Sequence, residues 1–540
     1  MVPFGVLVYI HQATEQAILR WKTWNQVTNE DLARLRLDWD HIPSSGVGEP
    51  PPSHPYASDL NMCGNRSLTH LIDLCVSQSG SDRLGFWLLD PELDPEIIKK
   101  RQRLVQDLAS IPYATQKLRW VARMQSGSDR RRWNTNQLVQ WLQASPGRKL
   151  DVLLKVLSVL AAINAIGFVA WLAGLTSGWW ALSFVAYVAV YGLNGGAMVH
   201  LSTESADLHE NLGRFRALFQ YLSKRIPAWA TSAYELTFPF RDASEGPLAS
   251  LKRLRRIALW AGATRNDVLF VVLNAILPWN LVFAVLLERE KSLLRSKLPG
   301  WLDRWYTLEA ASSLAHVAVL NADHCWPVPQ NVAEWYAEDA SHPLLHAESR
   351  VHNTHHFDQI GRLGLITGSN MAGKSTFLRT IGINTVLANA GGPVIASSFR
   401  WQPMRVFTSM KISDSVTEGY SYFYAEVRRL KSLYDELNRP DSLPMLYLID
   451  EIFKGTNTKE RLIGSRGYIH SLIEGNGFGL VATHDLELIK LSQESDLVRN
   501  LHFEETFSGG NMYFTYRLMN GPCTSTNALH IMRQAGLSID

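Results

Sequence analysis

Eight residues near position 370 limit the folds open to this chain more than any other stretch. Gly368, Ser369, Asn370, Met371, Ala372, Gly373, Lys374 and Ser375 fit the pattern G-x-x-x-x-G-K-[ST]. Before them, Gly364-Leu-Ile-Thr-Gly368 reads as a short apolar strand entering a turn; after them, Thr376-Phe-Leu-Arg-Thr-Ile reads as a helix. Strand, glycine-bearing loop and helix in that order belong to a parallel α/β sheet. The glycines let backbone N–H groups wrap phosphate oxygens, and the helix starting near Lys374 adds the positive end of its dipole. Lys374 is expected to reach the β- and γ-phosphates of a nucleotide, and the Ser375 hydroxyl to coordinate Mg²⁺.

Two further strand ends fit the same chemistry. Met445-Leu-Tyr-Leu-Ile449 is an apolar strand running into Asp450 and Glu451. An aspartate at a strand's carboxyl end can hold Mg²⁺, partly through water, and the adjacent Glu451 can polarise an attacking water. Gly479-Leu-Val-Ala-Thr483 is another short strand, ending in His484-Asp485. His484 is expected to hydrogen-bond a γ-phosphate or a water.

Charge is scarce elsewhere for a reason. Charged residues make up 19% of the 540, below the ~25% of an average soluble protein. Val156 to Leu175 carries no charge, and neither does Trp179 to Val199. Each is about the 20 residues that a helix needs to cross a ~30 Å hydrocarbon core. Thr176-Ser177-Gly178 joins them so tightly that two such helices must run antiparallel, with both outer ends on one side. Arg148, Lys149 and Lys155 flank the entry and the turn has no Lys or Arg, which puts both ends in the cytoplasm. A third apolar run, Val268 to Leu287, contains Asn274, Pro278 and Asn280. It reads as a core or membrane-surface helix, because a crossing there would place the segment before the hairpin outside. The opening MVPFGVLVYI lacks a basic start and is not read as a signal peptide; it fits the tail of a longer span.

The remaining composition excludes several classes. A net charge of +3 gives no argument for nucleic-acid binding. Four widely spaced cysteines, Cys63, Cys75, Cys325 and Cys523, exclude a disulfide scaffold and a zinc ribbon. Pro43 to Pro55 reads as a linker extended by its prolines. The tryptophans at 21, 24, 39, 133 and 141 are expected to pack between helices. Basic clusters at Arg130-Arg131-Arg132 and Lys252-Arg253-Leu-Arg255-Arg256 read as solvated faces or lipid-headgroup contacts.

Together the motifs resemble the MutS family of ATPases. Thr367-Gly-Ser-Asn-Met-Ala-Gly-Lys-Ser-Thr376 is similar to that family's P-loop, with Asn-Met-Ala distinctive, and extends the nucleotide-contacting set to Thr376. Asp450-Glu-Ile-Phe-Lys-Gly-Thr456 resembles its Walker B segment, and Ala482-Thr-His-Asp485 its switch-histidine segment. Ser421 falls where the family has a serine that reaches the partner subunit's nucleotide. The resemblance therefore implies a homodimer with composite ATP and Mg²⁺ sites, Ser421 acting in trans. Asp59 to Ser67, Trp87 to Pro91 and Ile98 to Arg103 look like the start of the family's helical lever; Glu309 to Ala315 and His342 to Leu345 look like its return into the ATPase.

Departures from the family bear on function. About 55 residues precede the lever, too few for a mismatch-reading domain and a connector. The apolar hairpin stands where the family inserts its DNA clamp, and the stretch after the ATPase is too short for the helix-turn-helix found in many members. The expected architecture is an N-terminal segment and Pro-rich linker at 1–54, a helical lever at 55–150 and 201–344, a transmembrane hairpin at 151–200 between its parts, and an α/β P-loop ATPase domain at 345–540 with a parallel sheet flanked by helices. The expected function is a membrane-anchored ATPase, its ATPase domain on the cytoplasmic side, that couples hydrolysis to movement of the lever. A tethered sensor of mismatched, damaged or branched DNA is the alternative. An ABC-type transporter is weaker, since no Leu-Ser-Gly-Gly-Gln lies between Lys374 and Asp450.

Overall fold

A computed structural model describes residues 2–125, 132–133, 149–193, 215–261, 267–369, 372–411, 422–440, 442–454, 456–508 and 511–522. The chain divides into two compact units: Met1–Asn25, Val76–Gly80 and Tyr113–Leu308 form one, and Gln26–Cys75, Ser81–Pro112 and Glu309–Asp540 the other.

The second unit is built on a six-stranded sheet. Its strands are β1 (Leu363–Thr367), β2 (Arg405–Ser409), β3 (Met445–Asp450), β4 (Gly477–Ala482), β5 (Val498–Ser508) and β6 (Asn511–Asn520), in the order β6-β5-β1-β4-β3-β2. β1 to β5 are parallel, as expected of apolar strands joined through helices. The expectation of a parallel sheet is corrected at β6, which pairs antiparallel with β5, only two residues separating the strands along the chain. Register places Ile366, Ala482 and Asp450 side by side, so that β1, β4 and β3 end at one level.

Three helices clothe this sheet: α1 (Lys374–Asn389), α2 (Tyr422–Leu437) and α3 (Thr458–Ile473). On one face Phe407, Tyr447, Ile449 and Val481 pack with Leu430, Leu433 and Leu437 of α2 and Ile469 and Leu472 of α3. Side chains alternate along a strand, so Leu448 faces the other way. There α1 comes so close that a Cβ on Gly382 would lie 3.0 Å from Leu448.

A second sheet was not foreseen. Val328–Pro329, Ser398–Trp401, Trp335–Ala340 and Asn353–Phe357 form it in that order, mostly antiparallel. Its buried tryptophans tie it to α1: Trp335 Nε1 donates to Thr385 Oγ1 at 2.9 Å and Trp401 Nε1 to Asn389 Oδ1 at 3.0 Å. Residues 53–61, from the proline-rich stretch onward, also dock in this unit. Arg429 of α2 donates to the carbonyls of Ser53, His54 and Pro55. Buried Asp59 accepts from Thr408 Oγ1 at 2.7 Å and from the N–H groups of Met410 and Lys411 at 3.0 and 2.8 Å.

The first unit is helical among its described residues, apart from one isolated bridge between Ser77 and Trp133. The charge-free segments form two packed helices, Lys149–Leu172 and Trp180–Leu193, with Phe168 against Trp180. Of these, only Leu150–Leu172 is long and apolar enough to cross a bilayer, with a mean hydropathy of 2.3 and 22% of its apolar window buried. The expected second span ran to Val199, and residues 194–199 lie outside the described ones. The third apolar run is two helices, Asp267–Ile276 and the start of Trp279–Leu320, interrupted at Pro278. Trp24 packs edge-on against Tyr113 and Trp120, and Trp133 against Phe215 and Trp305, as expected; Trp21 is exposed, which departs from the expectation. Trp141 lies outside the described residues. In the other unit, Trp39 lies against His70.

Candidate nucleotide site

The ends of β1, β3 and β4 hold the motif residues together. After β1 the chain turns through Gly368, whose φ is +140°, and enters α1 through Gly373, at φ +105°. Both angles lie where a side chain is disfavoured. Gly373 is confined further by Tyr516 of β6, whose Cδ1 would lie 3.1 Å from an added Cβ. This bend brings the buried Lys374 beneath the loop, where its Nζ donates to the carbonyls of Gly368 and Ser369 at 2.6 and 2.7 Å.

Ser375, one residue on, points at β3: its Oγ donates to Asp450 Oδ2 at 2.5 Å. A hydroxyl and a carboxylate oxygen side by side are the hard donors that Mg²⁺ prefers, so the residues present fit that ion. Ala372 is buried and Thr376 lies in the first turn of α1, its carbonyl accepting from Thr380 Oγ1. Asn370, Met371 and Ser421 lie outside the described residues.

Glu451 follows Asp450 at φ +64°, a left-handed conformation that costs a non-glycine residue energy and gathers at functional sites. Its N–H donates to the Ala482 carbonyl at 2.9 Å, extending the β3–β4 ladder past the strand end. The carboxylate is held from both sides: Oε1 lies 2.9 Å from His484 Nε2, and Oε2 3.2 Å from Lys454 Nζ. The His484 hydrogen bond first, and Lys454 beside it, outweigh partial burial and bring the Glu451 carboxyl down to about 2. Glu451 is thus ionised at any physiological pH, as a proton acceptor must be. His484 Nε2 also lies 3.4 Å from Lys374 Nζ. Asp485 is engaged separately, accepting from Arg461 Nε and Nη2 at 2.8 and 3.1 Å.

The structure therefore gathers Lys374, Ser375, Asp450, Glu451 and His484. Sequence reasoning assigned no role to Lys454, although its place three residues after Glu451 was a usable signal. Buried Glu426 accepts from the Lys454 N–H at 3.2 Å. No local signal pointed to Tyr516, which reaches Gly373 from a distant hairpin.

Residues 364–539 match the family described as MutS domain V. Over 258 residues the chain is 30% identical to the DNA mismatch repair protein MutS of Desulfovibrio desulfuricans. That stretch is 46% of this chain and 27% of the relative, so the chain spans little more than a quarter of the length of the protein it matches.

Proposed function

We propose that this chain, whose residues 364–539 match MutS domain V, is a membrane-anchored ATPase of the MutS family that binds and hydrolyses Mg-ATP. The observation that carries the reading is the convergence of Lys374, Ser375, Asp450, Glu451 and His484 from three adjacent strand ends. The Lys374 ammonium turns from the loop carbonyls to the β- and γ-phosphates of ATP. Ser375 and Asp450 are the residues that would hold Mg²⁺, which when bound neutralises charge on the phosphate oxygens. Glu451 orients a water and accepts its proton, and His484 holds the Glu451 carboxylate in place. The ATPase domains pair into a homodimer whose sites are composite, with Ser421 reaching the partner's nucleotide.

The hairpin anchors the chain, with the ATPase domain on the cytoplasmic side, and hydrolysis changes the geometry of the helical lever. Support for the anchor comes from the apolar, outward-facing surface of Lys149–Leu172, on which Val152, Val159, Ile166, Val169 and Leu172 are exposed. A tethered sensor of mismatched or branched DNA draws on the relative's name alone. Phosphate release by the purified full chain in detergent, with and without Mg²⁺, tests the enzyme, and no ATP-dependent release above that of Lys374→Ala overturns it. Alkaline carbonate washing of membranes tests the anchor, and release of the native protein into the soluble fraction overturns it.

A further inference from the structure

Residues 268–287 follow an unusual course for twenty uncharged, mostly apolar residues flanked by charge. A helix, Asp267–Ile276, stops at Pro278, and a second starts at Trp279. The flanks of this excursion are tied together. Lys297 pairs with Glu245 at 2.7 Å, Arg253 with Glu290 at 2.9 Å, and Trp279 Nε1 donates to the Trp260 carbonyl at 3.2 Å. Pro247–Ala261 thus runs antiparallel beside the first turns of Trp279–Leu320, with Trp260 at the level of the break and the two charged pairs further out on one side.

The excursion runs alongside the hairpin. Arg289 pairs with Asp151 at 3.4 Å, at the charged foot of Lys149–Leu172. Above that foot, Leu281 is buried with Leu157, Ala161 and Tyr187. At the break, the Asn274 carbonyl accepts from Tyr187 OH at 2.6 Å, and Asn274 Oδ1 accepts from Tyr191 OH at 2.9 Å and from the Asn280 N–H at 3.0 Å. At the interruption the Asn274 carbonyl and the Asn280 N–H are therefore met by protein. Around this satisfied break the outer surface is apolar: Val271 and Ile276 are each 63% exposed and Leu277 52%.

We infer that residues 267–287 dip into the bilayer beside the hairpin and return to the same face, as a half-depth re-entrant element in contact with lipid acyl chains. The inference rests on the anchor reading above. Length agrees: the nine residues from Trp279 back to Leu287, at 1.5 Å each, reach about half of a ~30 Å core. Broken backbone at that depth is tolerated only where protein satisfies it, as Tyr187 does for the Asn274 carbonyl and the Asn274 side chain for the Asn280 N–H. The tied flanks exclude a full crossing.

Single-cysteine variants of the full chain, with the four native cysteines changed to serine, test this in inside-out membranes with an impermeant maleimide. Leu277→Cys and Ile276→Cys, like Val185→Cys in the hairpin, should react about tenfold or more slowly than Ser296→Cys until detergent dissolves the bilayer. Fast labelling at 276 and 277 with Val185→Cys still protected overturns the re-entrant element and leaves the anchor standing. Fast labelling at Val185→Cys overturns the anchor, and the inference with it. Should the serine background misfold, the unmodified chain in phosphatidylcholine vesicles with a mid-chain diazirine lipid gives the same reading. Adducts on both the hairpin and 268–287 support the inference, and adducts on the hairpin alone overturn it.

Discussion

The Nε2 of His484 lies 2.9 Å from the Oε1 of Glu451, so that the end of β4 grips the carboxylate that follows β3. The same nitrogen lies 3.4 Å from Lys374 Nζ. That nitrogen, donating to Glu451, thereby stands between the group proposed to activate water and the group proposed to hold phosphate.

Removing the carboxylate separates binding from chemistry. Glu451→Ala is expected to keep Mg-ATP binding and to slow hydrolysis by about 10²–10⁴-fold, the range for a positioned acid–base group. Equilibrium binding of a fluorescent ATP analogue and single-turnover phosphate release measure the two separately. The variant should also accumulate as an ATP-bound dimer by size exclusion in detergent.

The pH dependence has a defined sign. Glu451 is lowered from 4.5 to about 2, first by the His484 hydrogen bond. Its contribution to stability is full above the unfolded value near 4.5 and is lost as pH falls through about 2. His484→Ala removes the largest lowering cause, so the acidic limb of the kcat profile should move to higher pH. A limb unmoved by His484→Ala would show that this hydrogen bond does not set the ionisation of Glu451.

Composite sites have a mixing signature. Ser421→Ala and Lys374→Ala should each be inactive alone. Mixed, they form dimers in which one site pairs an intact Lys374 with an intact Ser421, and activity at that one site returns. Mixed dimers that form without recovering activity would place the action of Ser421 within its own chain.

Asp59 is expected to be a stability residue. Asp59→Ala leaves the buried N–H of Met410 and the part-buried N–H of Lys411 without their acceptor, a loss of roughly 1–3 kcal/mol for the buried group and less for the other. Thermal unfolding should show a lower midpoint than in Asp59→Asn, which keeps one acceptor oxygen.

DNA binding should be weak and indifferent to lesions. Filter binding to homoduplex, mismatched and branched DNA over a salt titration measures it. Tight, mismatch-dependent and nucleotide-sensitive retention would favour the sensor reading over the anchored ATPase.

The sequence by itself determined the parts whose chemistry is local. Glycine and lysine spacing marked the phosphate loop, strand-end polar residues marked Asp450, Glu451 and His484, and two uncharged runs marked the helical pair at 149–193. In each case the residues that work together are neighbours in the chain or share one short period, so pattern and structure coincide. Tertiary structure alone decided the rest. Asp59 meets Thr408 across 349 residues, Tyr187 meets Asn274 across 87, and Tyr516 closes over Gly373 from a hairpin at the sheet's far edge. Such contacts leave no local trace, because burial and hydrogen-bond satisfaction depend on which surfaces meet and not on the order of residues along either one. The break at Pro278 shows both sides: the proline announced an interruption, but only the packed hairpin supplied the tyrosine that meets the Asn274 carbonyl.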